Sequence, residues 1–351
     1  MNEIRYLILA EGFSHDVHYG KTMRGVLRYR REDVVAILDS QRAPGDTEDG
    51  VPVVQSVGEA MQYEPTTALV GVATQGGNFP PAWQSVLRAC VERGLDIENG
   101  LHVFLSHDPD LRALAEAHGV QLRDLRRPPA DLSTATGAVF DVDAAIVLTV
   151  GSDCAIGKMT VSLELDLEAR RRGLASAFVP TGQTGIAIAG WGIAVDAVVA
   201  DFIAGAAERL VVEGAARGGK LLWVEGQGSL VHPVYSGVTL GLFHGSAPHV
   251  LVLCHEAGRT EIEGAGGGPH PIPPLRELVE LHERGALPAR PARVVAIAVN
   301  TRALDDDAAR AAVAAAEAET GLPADDPVRF GASKLLDAVL ASLDGGTGFR
   351  A

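Results

Sequence analysis

Three observations predict an α/β protein: a Rossmann-like N-terminal parallel-sheet domain followed by a P-loop NTPase-like parallel-sheet domain. Apolar runs of strand length alternate with helical segments along most of the 351 residues. One run, Ala144 to Val150, opens directly into Gly151-Ser152-Asp153-Cys154-Ala155-Ile156-Gly157-Lys158-Met159-Thr160, the parts of a phosphate loop. Between the halves, Arg126-Arg127-Pro128-Pro129-Ala130-Asp131 is charged and proline-bearing, and each proline pushes the residue before it away from helix. The expected domains are residues 1–130 and 131–351, each large enough for its own core.

In the first half, the apolar run Ile4 to Ala10 leads into Glu11-Gly12, and Val34 to Leu38 leads into Asp39. Ala68 to Val72 leads into a glycine-rich turn at Gly76-Gly77, and His102 to Leu105 leads into Ser106-His107-Asp108. Strands buried on both faces and separated by helices form a parallel sheet with right-handed crossovers. After the linker come the strand Ala144 to Val150, a helix Lys158 to Arg172 closed by Gly173, a strand Ser176 to Val179 and a helix Val195 to Glu213. Strands Leu221 to Val224, Val250 to Cys254 and Val294 to Val299 follow, with helices Asp306 to Thr320 and Ser333 to Leu343 completing the domain.

Composition narrows the function. With 47% hydrophobic residues and 40 glycines, the chain suits a compact α/β enzyme rather than a fibrous or disordered one. Its formal net charge of −15 repels polyanions, so no nucleic-acid partner is expected, and phosphates must be held by local devices. Cys90, Cys154 and Cys254 show no C-x-x-C spacing, which argues against a disulfide framework or structural zinc and fits a reducing, cytoplasmic compartment. The start MNEIRYLILAEG lacks the pattern of a signal peptide, and no apolar stretch reaches the length of a membrane span. A homo-oligomer acting on a small molecule is expected.

The loop Gly151 to Thr160 carries the strongest signal. Its glycines let the backbone curl so that successive N–H groups point inward, the following helix adds positive potential, and Lys158 supplies a mobile charge. The spacing departs from the strict motif, with five residues between the glycines instead of four and Met159 before Thr160. In this it resembles the dethiobiotin synthetase branch of P-loop proteins, and the resemblance puts Asp153 where a loop aspartate helps to hold magnesium. The strand Leu221 to Val224 delivers Glu225 with Gly226, Gln227 and Gly228 at the sheet edge where α/β ligands bind, the place for a base or a magnesium ligand. Thr181, Gln183 and Thr184, after the strand ending at Val179, are candidates to line the acceptor site. Asn300, at the end of the last long strand, is a candidate reader of an adenine edge. Arg259 is placed either to clamp a substrate carboxylate or in a surface ion pair.

Other features weigh less. Gly20-Lys21-Thr22 imitates the end of a phosphate loop, but His15 stands where the upstream glycine is required. His232, His244, His249 and His255 lack helical i, i+4 pairing, so a metal centre is not expected, although His232 and His255 flank strand ends. Cys154 lies where a helix N-terminus favours a thiolate, yet its small size suits a loop filler. Glu11, His15 and His107 follow strands of the N-terminal half and are placed either to cover the acceptor or to serve assembly.

Taken together, GSDCAIGKMT, TGQTGIAIAGWGIAVDAVVADFIAGAAE, EGQGSLVHPVYSGVTLGLFHGSAPHVLVLCHEAGRT and LAEGFSHDVHYGKTMRG resemble, over essentially the whole chain, a bacterial two-domain family long labelled as of unknown function. Its characterised members are D-glutamate N-acetyltransferases that use acetyl-CoA. The resemblance implies that the loop Gly151 to Thr160 grips coenzyme phosphates and that the amine of a D-amino acid attacks the thioester directly. Glu225 would then be the base, with His232 as the alternate, Lys158 in the catalytic set, and backbone N–H groups from Gly226 to Ser229 facing the oxyanion. The dethiobiotin synthetase likeness implies another chemistry, ATP-dependent activation of a carboxylate, with magnesium on Asp153, Thr160 and Glu225 and Lys158 on the transferred phosphoryl group. A nucleotide-gated regulator is a third reading, disfavoured because a sensor needs no acceptor pocket.

Overall fold

Tyr6–Leu9 is apolar, wholly buried and forms β1, the middle strand of the first of two sheets in a computed structural model that describes residues 4–16, 19–73 and 83–344. The chain divides into two units, one of Met1–Arg127 with Gln183–Ala197, the other of Pro128–Gly182 with Val198–Ala351. In the first unit β1 is followed by α1 (Lys21–Tyr29), β2 (Val34–Leu38), β3 (Thr47–Glu48), β4 (Val51–Val54), α2 (Val57–Ala60) and β5 (Thr67–Val70). Then come α3 (Trp83–Glu92), β6 (Asp96–Asn99), α4 (Pro109–His118) and β7 (Leu122–Asp124). The strand order is β3-β4-β2-β1-β5-β6-β7, parallel except for the β3–β4 pair. The winding reverses beside β1, as in a Rossmann-like fold. Leu7 and Leu9 enter one core and Tyr6 and Ile8 another, so alternate residues of one strand serve both faces.

In the second unit β8 (Ala145–Gly151) is buried at all seven positions, the mark of a strand covered on both faces. It is followed by α5 (Lys158–Arg171), which ends as expected before Gly173 at φ +80°, and by β9 (Ser176–Val179). After α6 (Gln183–Ala189), which belongs to the first unit, the second resumes with α7 (Ile203–Ala216), β10 (Leu221–Val224), α8 (Ser236–Ser246) and β11 (Val250–Glu256). The remaining elements are α9 (Leu275–Gly285), β12 (Arg293–Asn300), α10 (Asp306–Thr320), β13 (Ala324–Asp325) and α11 (Ser333–Asp344). All six strands are parallel, in the order β13-β12-β11-β8-β10-β9, so their carboxyl ends share one edge. Among the described residues no helix is long and apolar enough to cross a membrane.

Three expectations need revision. Residues 102–105 are not a strand; that place in the sheet is taken by β6, whose sequence Asp-Ile-Glu-Asn carries no apolar run. Its polar groups are satisfied inside the fold, with Tyr6 Oη donating to Glu98 at 2.9 Å and Asn99 Nδ2 to Asp124 at 2.8 Å. The helix expected from Val195 to Glu213 is broken, because the chain passes from the first unit back to the second after Ala197. Short 3₁₀ turns at Val195–Ala197 and Ala200–Phe202 make that passage, and α7 starts only at Ile203. For the same reason a single division at residue 130 does not describe the chain. The turn expected at Gly76-Gly77 lies outside the described residues.

Candidate functional site

The candidate phosphate-loop residues, with Glu225, Ser229, His232 and Arg259, lie at or in the loops that leave this common strand edge, whereas His244 is on α8 and His249 precedes β11. Strand β8 delivers Gly151, and the chain turns through Ser152 to Gly157, with Ala155 at φ +54° and Gly157 at φ +109°, before α5 begins at Lys158. A non-glycine residue in the left-handed region is strained, and such strain concentrates at functional loops. Ser152 is anchored by its N–H to the Cys254 carbonyl and by its hydroxyl, 2.9 Å from His255 Nδ1. Beyond it, the N–H groups of Ala155, Ile156, Gly157, Lys158, Met159 and Thr160 meet no acceptor among the described residues. A curled run of unpaired amides at a helix N-terminus is an anion-binding cup.

Lys158 is 6% exposed and crosses this cup, Nζ donating to the Asp153 carbonyl at 2.6 Å. Its stem lies in a groove that only glycine leaves open. A Cβ on Gly151 would come within 3.2 Å of Lys158 Cδ, and one on Gly226 within 2.9 Å. Burial pushes the ammonium below its ordinary range, opposed by the neighbouring acidic groups, among them Asp153 and Glu225. Cys254 and Cys90 are buried thiols pushed up to about 12, whereas Cys154 is half-exposed in the loop.

Glu225 lies beyond β10 and is 4% exposed. Its Oε2 accepts the N–H groups of Thr181 at 2.8 Å and Gly182 at 3.0 Å, and the Thr181 hydroxyl donates to the Glu225 carbonyl at 2.6 Å. Gln227 Nε2 reaches the same Thr181 hydroxyl, and Ser229 Oγ donates to the Gly151 carbonyl at 2.8 Å. The loops after β8, β9 and β10 are therefore laced together around one carboxylate.

Asp153 is fully buried, and its carboxylate already has three contacts with protein groups. Oδ1 accepts from the Cys154 N–H, while Oδ2 accepts from Arg259 Nη1 and the Glu263 N–H, each at 3.0 Å. Arg259 also pairs with Glu256 and Glu263, so its guanidinium is a bridge within the site rather than a surface charge. Carboxylate, thiol and imidazole atoms of Asp153, Cys154 and His232 lie within 4.8 Å of one another. In His232, Nδ1 accepts the Val234 N–H, which leaves the proton on Nε2 toward the Glu263 carbonyl. That tautomer presents no lone pair to a metal and none to a reacting proton, which weighs against His232 as the alternate base. Asn300 Nδ2 donates to the Ile156 carbonyl at 3.1 Å and its Oδ1 accepts the Arg302 N–H, so the amide braces the loop.

Gln183 and Thr184 fall in the first unit, where Gln183 Oε1 accepts from Arg126 at 2.8 Å and Thr184 Oγ1 lies 2.9 Å from Thr22 Oγ1. Glu11 there holds the Ser40 N–H, the His15 carbonyl accepts from Arg24, and His107 packs edge-on to Phe104. Gly20-Lys21-Thr22 does open helix α1, but with buried Thr22 paired to Thr184. Sequence reasoning missed Thr149, Ser162 and Glu263. The single hydroxyl in Ala-Ile-Val-Leu-Thr-Val is the one local signal for Thr149, and Glu263 reaches Asp153 through its backbone N–H, which carries no side-chain signature.

Fold and site together define a phosphate-loop protein of the parallel α/β class. Residues 133–336 match the family model described as a domain of unknown function (DUF1611_C) P-loop domain, and residues 39–128 match its DUF1611_N Rossmann-like domain. The chain belongs to this DUF1611 family. It is 38% identical over 346 residues, 97% of this chain and all of the relative, to a D-glutamate N-acetyltransferase of Tritonibacter scottomollicae. A D-glutamate N-acetyltransferase of a Pseudoalteromonas species is 36% identical over 291 residues, 82% of this chain and 84% of that one. A DUF1611 family protein from Anabaena variabilis ATCC 29413, solved as a crystal structure at 2.30 Å resolution, shares 42% identity. It superposes with a TM-score of 0.88 over 96% of this chain and 99% of its own. These relatives place the chain among the acyltransferases.

Proposed function

We propose that the protein transfers an acetyl group from acetyl-CoA to the amine of a D-amino acid such as D-glutamate. The observation that carries the donor half of this reading is the cup itself, six consecutive amides with no acceptor among the described residues and the Lys158 ammonium at the start of α5. Coenzyme A offers a diphosphate and a 3′-phosphate to such a cup. The names of the relatives support the reaction class and the acceptor. Glu225, buried beside the stem of Lys158, takes a proton from the substrate ammonium, and the freed amine adds to the thioester carbonyl and displaces the coenzyme A thiolate. The N–H groups of Gln227, Gly228 and Ser229 in the loop after β10 are the donors for the oxyanion, the Gly226 N–H being held by the Thr149 hydroxyl.

The rival chemistry, ATP with magnesium, needs Asp153 as a ligand, and the Arg259 guanidinium on that carboxylate speaks against it. Thermal-shift titration with acetyl-CoA, CoA, ATP with magnesium and ADP separates the two, since a ligand at 100 times its Kd adds about 2.7 kcal/mol of stability. Stabilisation by acetyl-CoA and CoA, with N-acetyl-D-glutamate formed from acetyl-CoA, is the expected result. Stabilisation by ATP with magnesium alone would overturn it.

A further inference from the structure

We propose that Thr149 is a positioning residue, whose hydroxyl sets the direction of the Glu225 carboxylate and joins it to the helix that begins at Lys158. The inference rests on the acetyl-transfer reading for its kinetic consequence, but its geometry does not. The paired register between β8 and β10 runs from Ala145 and Leu221 to Leu148 and Val224 and stops there. One step further, the N–H of Gly226 finds the side chain of Thr149, donating to Oγ1 at 2.9 Å. Thr149 is 1% exposed, so no water replaces that acceptor.

The same hydroxyl lies 3.0 Å from Ser162 Oγ on α5, and the carbonyls of Lys158 and Val224 are each 3.4 Å away. Ser162 is itself fully buried and 3.5 Å from the Val224 carbonyl. Two hydroxyls thus link strand β8, the first turns of α5 and the end of β10. The Gly226 backbone comes so close that a Cβ there would run into the Thr149 carbonyl oxygen. Space and hydrogen bond together fix the peptide between Glu225 and Gly226. From that fixed peptide the Glu225 carboxylate reaches the amides of Thr181 and Gly182.

Valine has the shape of threonine without the acceptor, so Thr149→Val should leave the Gly226 N–H buried without a partner and release the peptide to rotate. A misplaced base costs turnover on the order of 10²-fold. We expect Thr149→Val to lower kcat by about that factor with coenzyme A affinity unchanged, because the amides of the cup do not pass through Thr149. Thr149→Ser, which keeps the hydroxyl, should restore most of kcat. A Thr149→Ser variant as slow as Thr149→Val, or coenzyme affinity falling in step with kcat, would reduce Thr149 to a packing role and overturn the proposal. A crystal structure of Thr149→Val supplies a readout independent of activity. A Glu225 Oε2 still 2.8 Å from the Thr181 amide sinks the positioning role even if acetyl transfer is confirmed, and a displaced carboxylate supports it even if the reaction proves different.

Discussion

Lys158 illustrates how a single charge is held ready in an acidic protein. Its stem is sheathed by Gly151 and Gly226 and its ammonium rests on its own loop at Asp153, so an incoming anion competes with one carbonyl and not with bulk water. A charge-assisted hydrogen bond contributes about 1.5–3 kcal/mol, so Lys158→Ala should weaken coenzyme A binding roughly 10- to 100-fold by calorimetry. Undiminished affinity would remove the cup from the account. Glu225 sits at the other wall, and general-base assistance is worth about 10² to 10⁴ in rate. Glu225→Gln should slow turnover by that order with coenzyme binding nearly intact, whereas a loss of only a few-fold would assign the base elsewhere.

Two histidines of the second unit, one buried and one partly buried, tie stability to pH. His282 on α9 is fully buried, with Nδ1 donating to the Leu278 carbonyl, and burial holds it down at about 4. His249, just before β11, accepts the Ile146 N–H on Nδ1 and is likewise held at about 4, again mainly by burial. The unfolded chain protonates both near 6.5, so the stability of their neutral forms is complete above that pH and is lost as pH falls toward 4. The slope is at most about 1.4 kcal/mol per pH unit for each histidine. Urea melts between pH 7 and pH 4 should show the decline, and His282→Leu should flatten it; an unchanged slope would acquit α9. Elements whose burial is apolar were legible from sequence, as β2, β9, β10 and α10 show by matching their expected bounds. The phosphate loop was legible too, because glycine and lysine spacing records backbone geometry directly. Strand β6 was not, since its buried groups are polar and are satisfied by partners such as Tyr6 and Asp124 far along the chain. The broken helix after Val195 was hidden for a different reason: local propensity cannot register a change of unit.

At the scale of the whole molecule, residues 183–197 decide what counts as a half. Arg126 donates to Gln183 and pairs with Asp196, Arg30 donates to the Ala187 carbonyl, and Thr22 meets Thr184, so this segment takes its support from the first unit. A fragment of residues 131–351 should therefore carry it unsupported, and limited proteolysis should cut there first while the full chain resists. Equal resistance of fragment and full chain would show that the segment holds itself. The polypeptide passes between the units after Arg127, after Gly182 and again after Ala197. A gene broken at the proline-bearing linker would encode two products, neither owning all the sequence its body needs. The halves cannot be traded as cassettes by recombination at one point, and must be inherited together.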